Sequence, residues 1–193
     1  MMSLWPLFLA AALAACQRPS DEAVLRAEFD IPPAATVVTY RAVPEEAGWF
    51  GREGLKIDLV FQLNDGDFAR YVATAEAGGD WRPLPIPREF LMHMGGIHTA
   101  KAGLLRSYTQ RDQPPPPEGS VYNPTKDQLF ERFCETLPLE IRHGWYQCRS
   151  AGDDIMHRPK TVQGTLDREL NDFMLAVLDA DTQQIVIRVS TSY

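Results

Sequence analysis

Between Leu55 and Leu63 the chain alternates: Leu55, Ile57, Leu59, Phe61 and Leu63 are separated by Lys56, Asp58 and Gln62, with Val60 the one interruption. A period of two fits a strand with one buried and one wet face, and it fits no helix. Such a strand needs neighbours, because its backbone groups are satisfied by pairing. Phe173 to Leu178 is apolar on both sides, as a central strand covered on both faces would be. Asp179-Ala180-Asp181-Thr182 has the composition of a hairpin loop, after which Ile185, Ile187 and Val189 alternate mostly with polar residues in a last, wetter strand. Thr36 to Val43 is β-branched and aromatic enough for a strand closed by Pro44, and Gly144 to Arg149 reads as a strand in which Tyr146 and Cys148 share a face.

Helical spacing separates these segments. Ser20 is placed to cap a short helix over Asp21 to Phe29, ended by Ile31-Pro32-Pro33. Asn64-Asp65-Gly66-Asp67 turns the chain into a helix carrying Phe68, Tyr71, Val72 and Ala75 on one face, ended by Gly78 and Gly79. From Phe90 to Tyr108 a helical stripe runs through Met94, Ile97, Leu104 and Tyr108, weakened by Gly95, Gly96 and Gly103. Thr125 and Gln128 fit a capping box that opens a helix with Leu129, Phe130, Phe133, Cys134 and Leu137 on its apolar side, and Pro138 stops it. Trp81-Arg82-Pro83-Leu84-Pro85-Ile86-Pro87 favours an extended polyproline-like path, and Pro114 to Pro117 a stiff surface loop. Together these elements predict an α+β domain, an antiparallel sheet of about five strands with helices packed on one side.

The N-terminus constrains the compartment. Leu4 to Ala15 is almost continuously apolar, the first fifteen residues carry no charged side chain, and Gln17 to Glu22 is strongly polar. As a helix, twelve residues extend about 18 Å, against a hydrocarbon core of about 30 Å, so the profile is that of an export signal and not of a permanent span. Leu13-Ala14-Ala15-Cys16 resembles the lipobox of bacterial lipoproteins. That resemblance implies diacylglyceryl on the Cys16 thiol, removal of residues 1 to 15, often acylation of the freed amine, and an anchor of two or three chains, which holds where a single chain would not. Under the enteric sorting rule, Gln17 in place of an aspartate implies the outer membrane, facing the periplasm. No Lys or Arg precedes Leu4, and Pro6 interrupts the apolar run, so a secretory signal with an incidental Cys16 and a buried N-terminal helix stay open as other readings. The expected organisation is signal 1–15, lipidated tether 16–22 and one globular domain over 23–193.

Removal of 15 residues from 193 leaves 178, enough for one core. The net charge of −7 argues against nucleic acid and anionic headgroups as partners. Once Cys16 is spent on lipid, Cys134 and Cys148 are an even pair in an oxidising compartment, and a disulfide between them is expected.

The sequence carries no nucleophile elbow, zinc-protease helix, phosphate-binding loop, dinucleotide glycine pattern or paired-cysteine zinc knuckle, and no cofactor is expected. Gly48 to Gly54 reads as a hairpin connection with aromatic tips, or as a contact loop in which Trp49, Phe50 and Arg52 are of hot-spot type. Trp81 and Ile86, in the proline-stiffened stretch, are expected on the same recognition surface. Asp153-Asp154 with His157 reads as a solvated turn. Met92-His93-Met94 with His98, and Met156-His157, offer ligands soft enough for copper, but one helix cannot gather them, and structural methionines are the plainer account. The expected function is therefore a non-catalytic envelope lipoprotein that binds another protein, an inhibitor or immunity protein being one concrete form. Periplasmic copper handling and an enzyme with dispersed catalytic residues are the alternatives.

Overall fold

The structure is a computed structural model and describes residues 20–43, 54–151, 155–156, 158–164, 166, 168–170 and 172–191. The chain divides into two compact units, Met1–Pro32 and Pro33–Tyr193. In the first, α1 (Asp21–Glu28) starts as the sequence predicts. The Ser20 hydroxyl accepts from the Ala23 N–H at 3.2 Å, Asp21 and Glu22 occupy the first turn, and Arg26 pairs with Glu22 at 2.7 Å. Arg26 also donates to the Pro32 carbonyl at 2.9 Å, which ties the helix to the proline pair that ends it.

The second unit is built on one antiparallel sheet. Its strands are β1 (Thr36–Val43), β2 (Lys56–Gln62), β3 (Arg82–Pro83), β4 (Gly144–Ser150), β5 (Thr161–Gln163), β6 (Phe173–Asp179) and β7 (Gln184–Ser190). They lie in the order β1-β2-β7-β6-β4-β3, with β5 also paired to β4. The five predicted strands are all present, and the α+β antiparallel class holds. Among the described residues the sheet has seven strands instead of about five, because β3 and β5 add two and three residues along the outer edge of β4. Segments so short leave no periodic signal, and β3 contains a proline that only an edge admits.

The β6–β7 hairpin turns where predicted. The Asp179 carboxylate accepts from the Asp181 N–H at 2.9 Å and from the Thr182 hydroxyl at 2.6 Å. β6 is buried at every position, as its unbroken apolar run requires. One of its faces presents Phe173, Leu175 and Val177, with Tyr146 opposite Val177 and Cys148 opposite Leu175 on β4. This face joins a core with Phe90, Leu91, Met92, Met94, Ile97 and Phe130. The other face, with Met174, Ala176 and Leu178 beside Ile185, Ile187, Val189, Ile57, Leu59 and Phe61, is buried as well. Each such aliphatic or aromatic side chain contributes about 1.5–3 kcal/mol on burial.

The helices of this unit are α2 (Asp65–Glu76), α3 (Arg88–Met94), α4 (Ile97–Gln110) and α5 (Lys126–Cys134). Asn64 caps α2 through the Asp67 N–H, and both halves of the Thr125–Gln128 capping box open α5. The single stripe read from Phe90 to Tyr108 is two helices. Gly96 takes a left-handed conformation, φ +58°, at their junction, while a Cβ on Gly95 would come within 2.6 Å of the Phe133 ring. The glycine pair therefore lets α3 turn into α4 under close packing from α5.

Candidate interaction surface

The expected recognition residues separate. Trp81 is 7 % exposed and meets Tyr71 edge-on at 6.2 Å between ring centroids, and Ile86 belongs to the core beside α3. Their assignment to a contact surface is corrected: prolines stiffen this stretch, but its apolar side chains point inward where burial outweighs presentation. Trp49, Phe50, Arg52 and Cys16, the expected lipidation site, lie outside the described residues, as do Asp153, Asp154 and His157.

The expected disulfide is not formed in the structure, where Cys134 and Cys148 are both free thiols. They border the same apolar cluster, yet the neighbour of the Cys148 thiol is the thioether of Met94, at 3.7 Å. Met94 comes from the last turn of α3 and belongs to the same cluster. Burial pushes the Cys148 thiol up to about 12 and also raises that of Cys134, so neither is an activated nucleophile.

The methionine and histidine residues also part company. Met92, Met94 and Met156 are buried. The helix break brings the rings of His93 and His98 to 6.2 Å, but His98 Nδ1 faces the Lys126 ammonium at 2.9 Å and His93 Nδ1 faces the Glu89 carbonyl at 3.2 Å. Among the described residues no three His, Cys, Asp or Glu side chains converge as a metal site would need.

A cavity of about 430 Å³ opens beside the glycine pair, lined by Met94, Thr99, Phe133, Glu169, Phe173 and Ser190 among others. Its acid is Glu169, whose carboxylate accepts from the backbone N–H groups of His98 and Thr99 at 2.5 and 2.7 Å. It thereby supplies the cap that Gly96 lacks a side chain to provide. Desolvation alone would raise its proton affinity, but hydrogen bonds from Thr99 and His98 and the charge of His98 outweigh it and hold the group below its ordinary value. A carboxylate so engaged fixes a helix start and makes a weak general base.

The most developed surface feature is one the sequence marked only as a stiff loop. Lys101 lies on the inner side of α4, one turn beyond Ile97, with its side chain 8 % exposed. Its ammonium donates to Asn123 Oδ1 and the Pro124 carbonyl, both at 2.7 Å, and pairs with Glu118 at 3.1 Å. Three donors thus meet three oxygens, which is what a buried ammonium requires. Asn123 in turn donates to the Pro116 carbonyl at 2.7 Å and accepts on its own carbonyl from the Gly119 N–H at 2.8 Å. Gln128 donates to the Gly119 carbonyl at 3.2 Å, and the Tyr108 hydroxyl to that of Tyr122 at 3.1 Å. At the tip of this braced loop, Val121 is 76 % and Tyr122 73 % exposed. The signal for it was a lysine on the apolar stripe of α4 followed by an Asn-Pro turn, and neither identifies its partner without the tertiary structure.

Among the described residues no helix is long and apolar enough to cross a membrane. Comparison with family models, with curated proteins and with solved structures finds no match to this chain.

Proposed function

We propose that this chain is a non-catalytic lipoprotein of the outer membrane, facing the periplasm, that binds another protein there, in the manner of an inhibitor or an immunity protein. The observation that carries the binding reading is the Lys101-braced loop with Val121 and Tyr122 at its tip. Val121 and Tyr122 are adjacent and exposed, and holding them on an ordered backbone lowers the entropy lost on binding. Tyr is also among the residues that dominate interface energies. The lipobox supports the location, and the lack of an activated nucleophile or converging ligand set among the described residues leaves binding as the better-supported reading.

The test compares Val121→Ser/Tyr122→Ala with the unaltered chain in co-precipitation from detergent-solubilised envelopes. The pair should lose at least about 2 kcal/mol of partner affinity, roughly thirtyfold, with an unchanged melting temperature. Undiminished partner recovery by the double variant would remove this surface from the function.

A further inference from the structure

The braced loop begins where α4 ends, and that end is tightly closed. Asp112 takes a left-handed conformation, φ +52°, its N–H donates to the Thr109 carbonyl at 3.1 Å, and the Gln113 N–H donates to the Tyr108 carbonyl at 3.0 Å. This pair of bonds is a Schellman closure, and it fixes the direction in which the chain leaves the helix. Pro114, Pro115, Pro116 and Pro117 follow at once, joined by trans bonds. Each ring holds φ at about −65°. The first three prolines each precede another, which disfavours the helical region, so the run is a polyproline segment. Its far end is held too: Asn123 donates to the Pro116 carbonyl at 2.7 Å, and the Pro117 carbonyl accepts from the Ser120 N–H at 3.2 Å.

What this segment shows to solvent follows from its period. Three residues per turn put Pro114 and Pro117 on one edge, about 9 Å apart along the segment. Both are exposed, as is Pro115, whereas Pro116 is half-buried where Asn123 holds it. The Pro114 and Pro115 carbonyls accept no hydrogen bond among the described residues. Arg111, three residues before Pro114, is exposed as well, and among the described residues no hydrogen bond or ion pair engages its guanidinium. Every residue from Arg111 to Tyr122 lies within the described part of the chain.

We propose that Pro114–Pro117 is the element the partner protein grips, seated in a groove lined by aromatic side chains, with a carboxylate at one end of the groove for Arg111. A polyproline segment makes no hydrogen bonds within itself, so its carbonyls are left for donors such as an indole N–H or a phenol, and its rings pack on flat aromatic faces. Fixed at both ends, the segment loses little entropy on docking. Val121 and Tyr122, a few residues further along the same loop, extend the contact beyond the groove. A second copy of this chain is disfavoured as occupant, because it would bring together two molecules of net charge −7. The proposal rests on the protein-binding reading of this loop and names the chemistry of the partner.

Photo-crosslinking residues placed singly at Gln113 and at Val121, in the full-length chain expressed in its native envelope, separate the two. Both should capture the same different polypeptide, and mass spectrometry should map the Gln113 crosslink to a segment containing Trp, Tyr or Phe. Pro114→Ala/Pro117→Ala should lower the Gln113 yield about tenfold or more, and Arg111→Glu should lower it in the same direction without altering a proline. Arg111 is exposed, so an unchanged melting temperature for Arg111→Glu keeps the test independent of folding even if the proline variant is destabilised. A partner captured from Val121 but not from Gln113, or Gln113 yields indifferent to both variants, would overturn this proposal and leave the protein-binding reading standing. A crosslinked homodimer would also overturn it. No crosslink from either position would remove both.

Discussion

Trp81 and Cys148 illustrate how burial decides what a reactive or adhesive side chain can do. Truncation of Trp81 removes a ring packed against Tyr71, so Trp81→Ala should cost about 3–5 kcal/mol of stability. A chemical denaturation midpoint unchanged from that of the parent would show that the ring is not a core plug. Cys148 is fully buried, and its thiol is held protonated up to about 12 against an ordinary 9.0. A group whose folded-state pKa is raised contributes stability that is fully present below the unfolded value and is lost as pH rises through the folded one. The folded protein should therefore lose stability progressively from about pH 9 towards pH 12, and Cys148→Ala should flatten that alkaline limb. Alkylation at pH 8 should reach this thiol only after denaturant is added. Rapid labelling of Cys148 in the folded chain would contradict its burial.

Helices α3 and α4 depend on their junction as much as on their propensities. The two glycines weaken the helical stripe in sequence, and in three dimensions they reverse their meaning, since the break they permit places Met94 beside Cys148 and Ile97 in the same core. Gly95→Ala would drive a methyl group against the Phe133 ring, which is itself packed edge-on to Phe173 at 6.0 Å. The ring cannot withdraw freely, so the substitution should destabilise by about 1–3 kcal/mol. Thermal melts check the magnitude, and a rise in stability would mean that α5 can shift. The elements with strong local codes, such as the alternation of β2, the Ser20 cap and the Thr125–Gln128 box, are legible without the fold because their cause lies within a few residues. β3 and β5 are not, because a two- or three-residue strand exists only where β4 offers it an edge.

Over the whole molecule, the proposed membrane address and the folded unit have separate tests. The first is tested by Cys16→Ala, which should abolish palmitate labelling and either release the protein from membranes or leave its signal uncleaved. Retained label and membrane fractionation would end the lipoprotein reading. The second is settled by packing. By itself the sequence determined the antiparallel α+β class, the five longer strands, the helix caps and the central place of β6, because periodicity, capping chemistry and an unbroken apolar run are local consequences of backbone geometry. Only the tertiary structure decided that Trp81 and Ile86 are core, that Cys134 and Cys148 are free thiols with Met94 beside the Cys148 sulfur, and that Lys101 braces the loop carrying Val121 and Tyr122. An aromatic residue in a proline-rich stretch has the same composition whether it faces solvent or core, and two cysteines have the same spacing whether or not their sulfurs are joined. Those outcomes depend on which distant surfaces meet, so no local pattern in the chain encodes them.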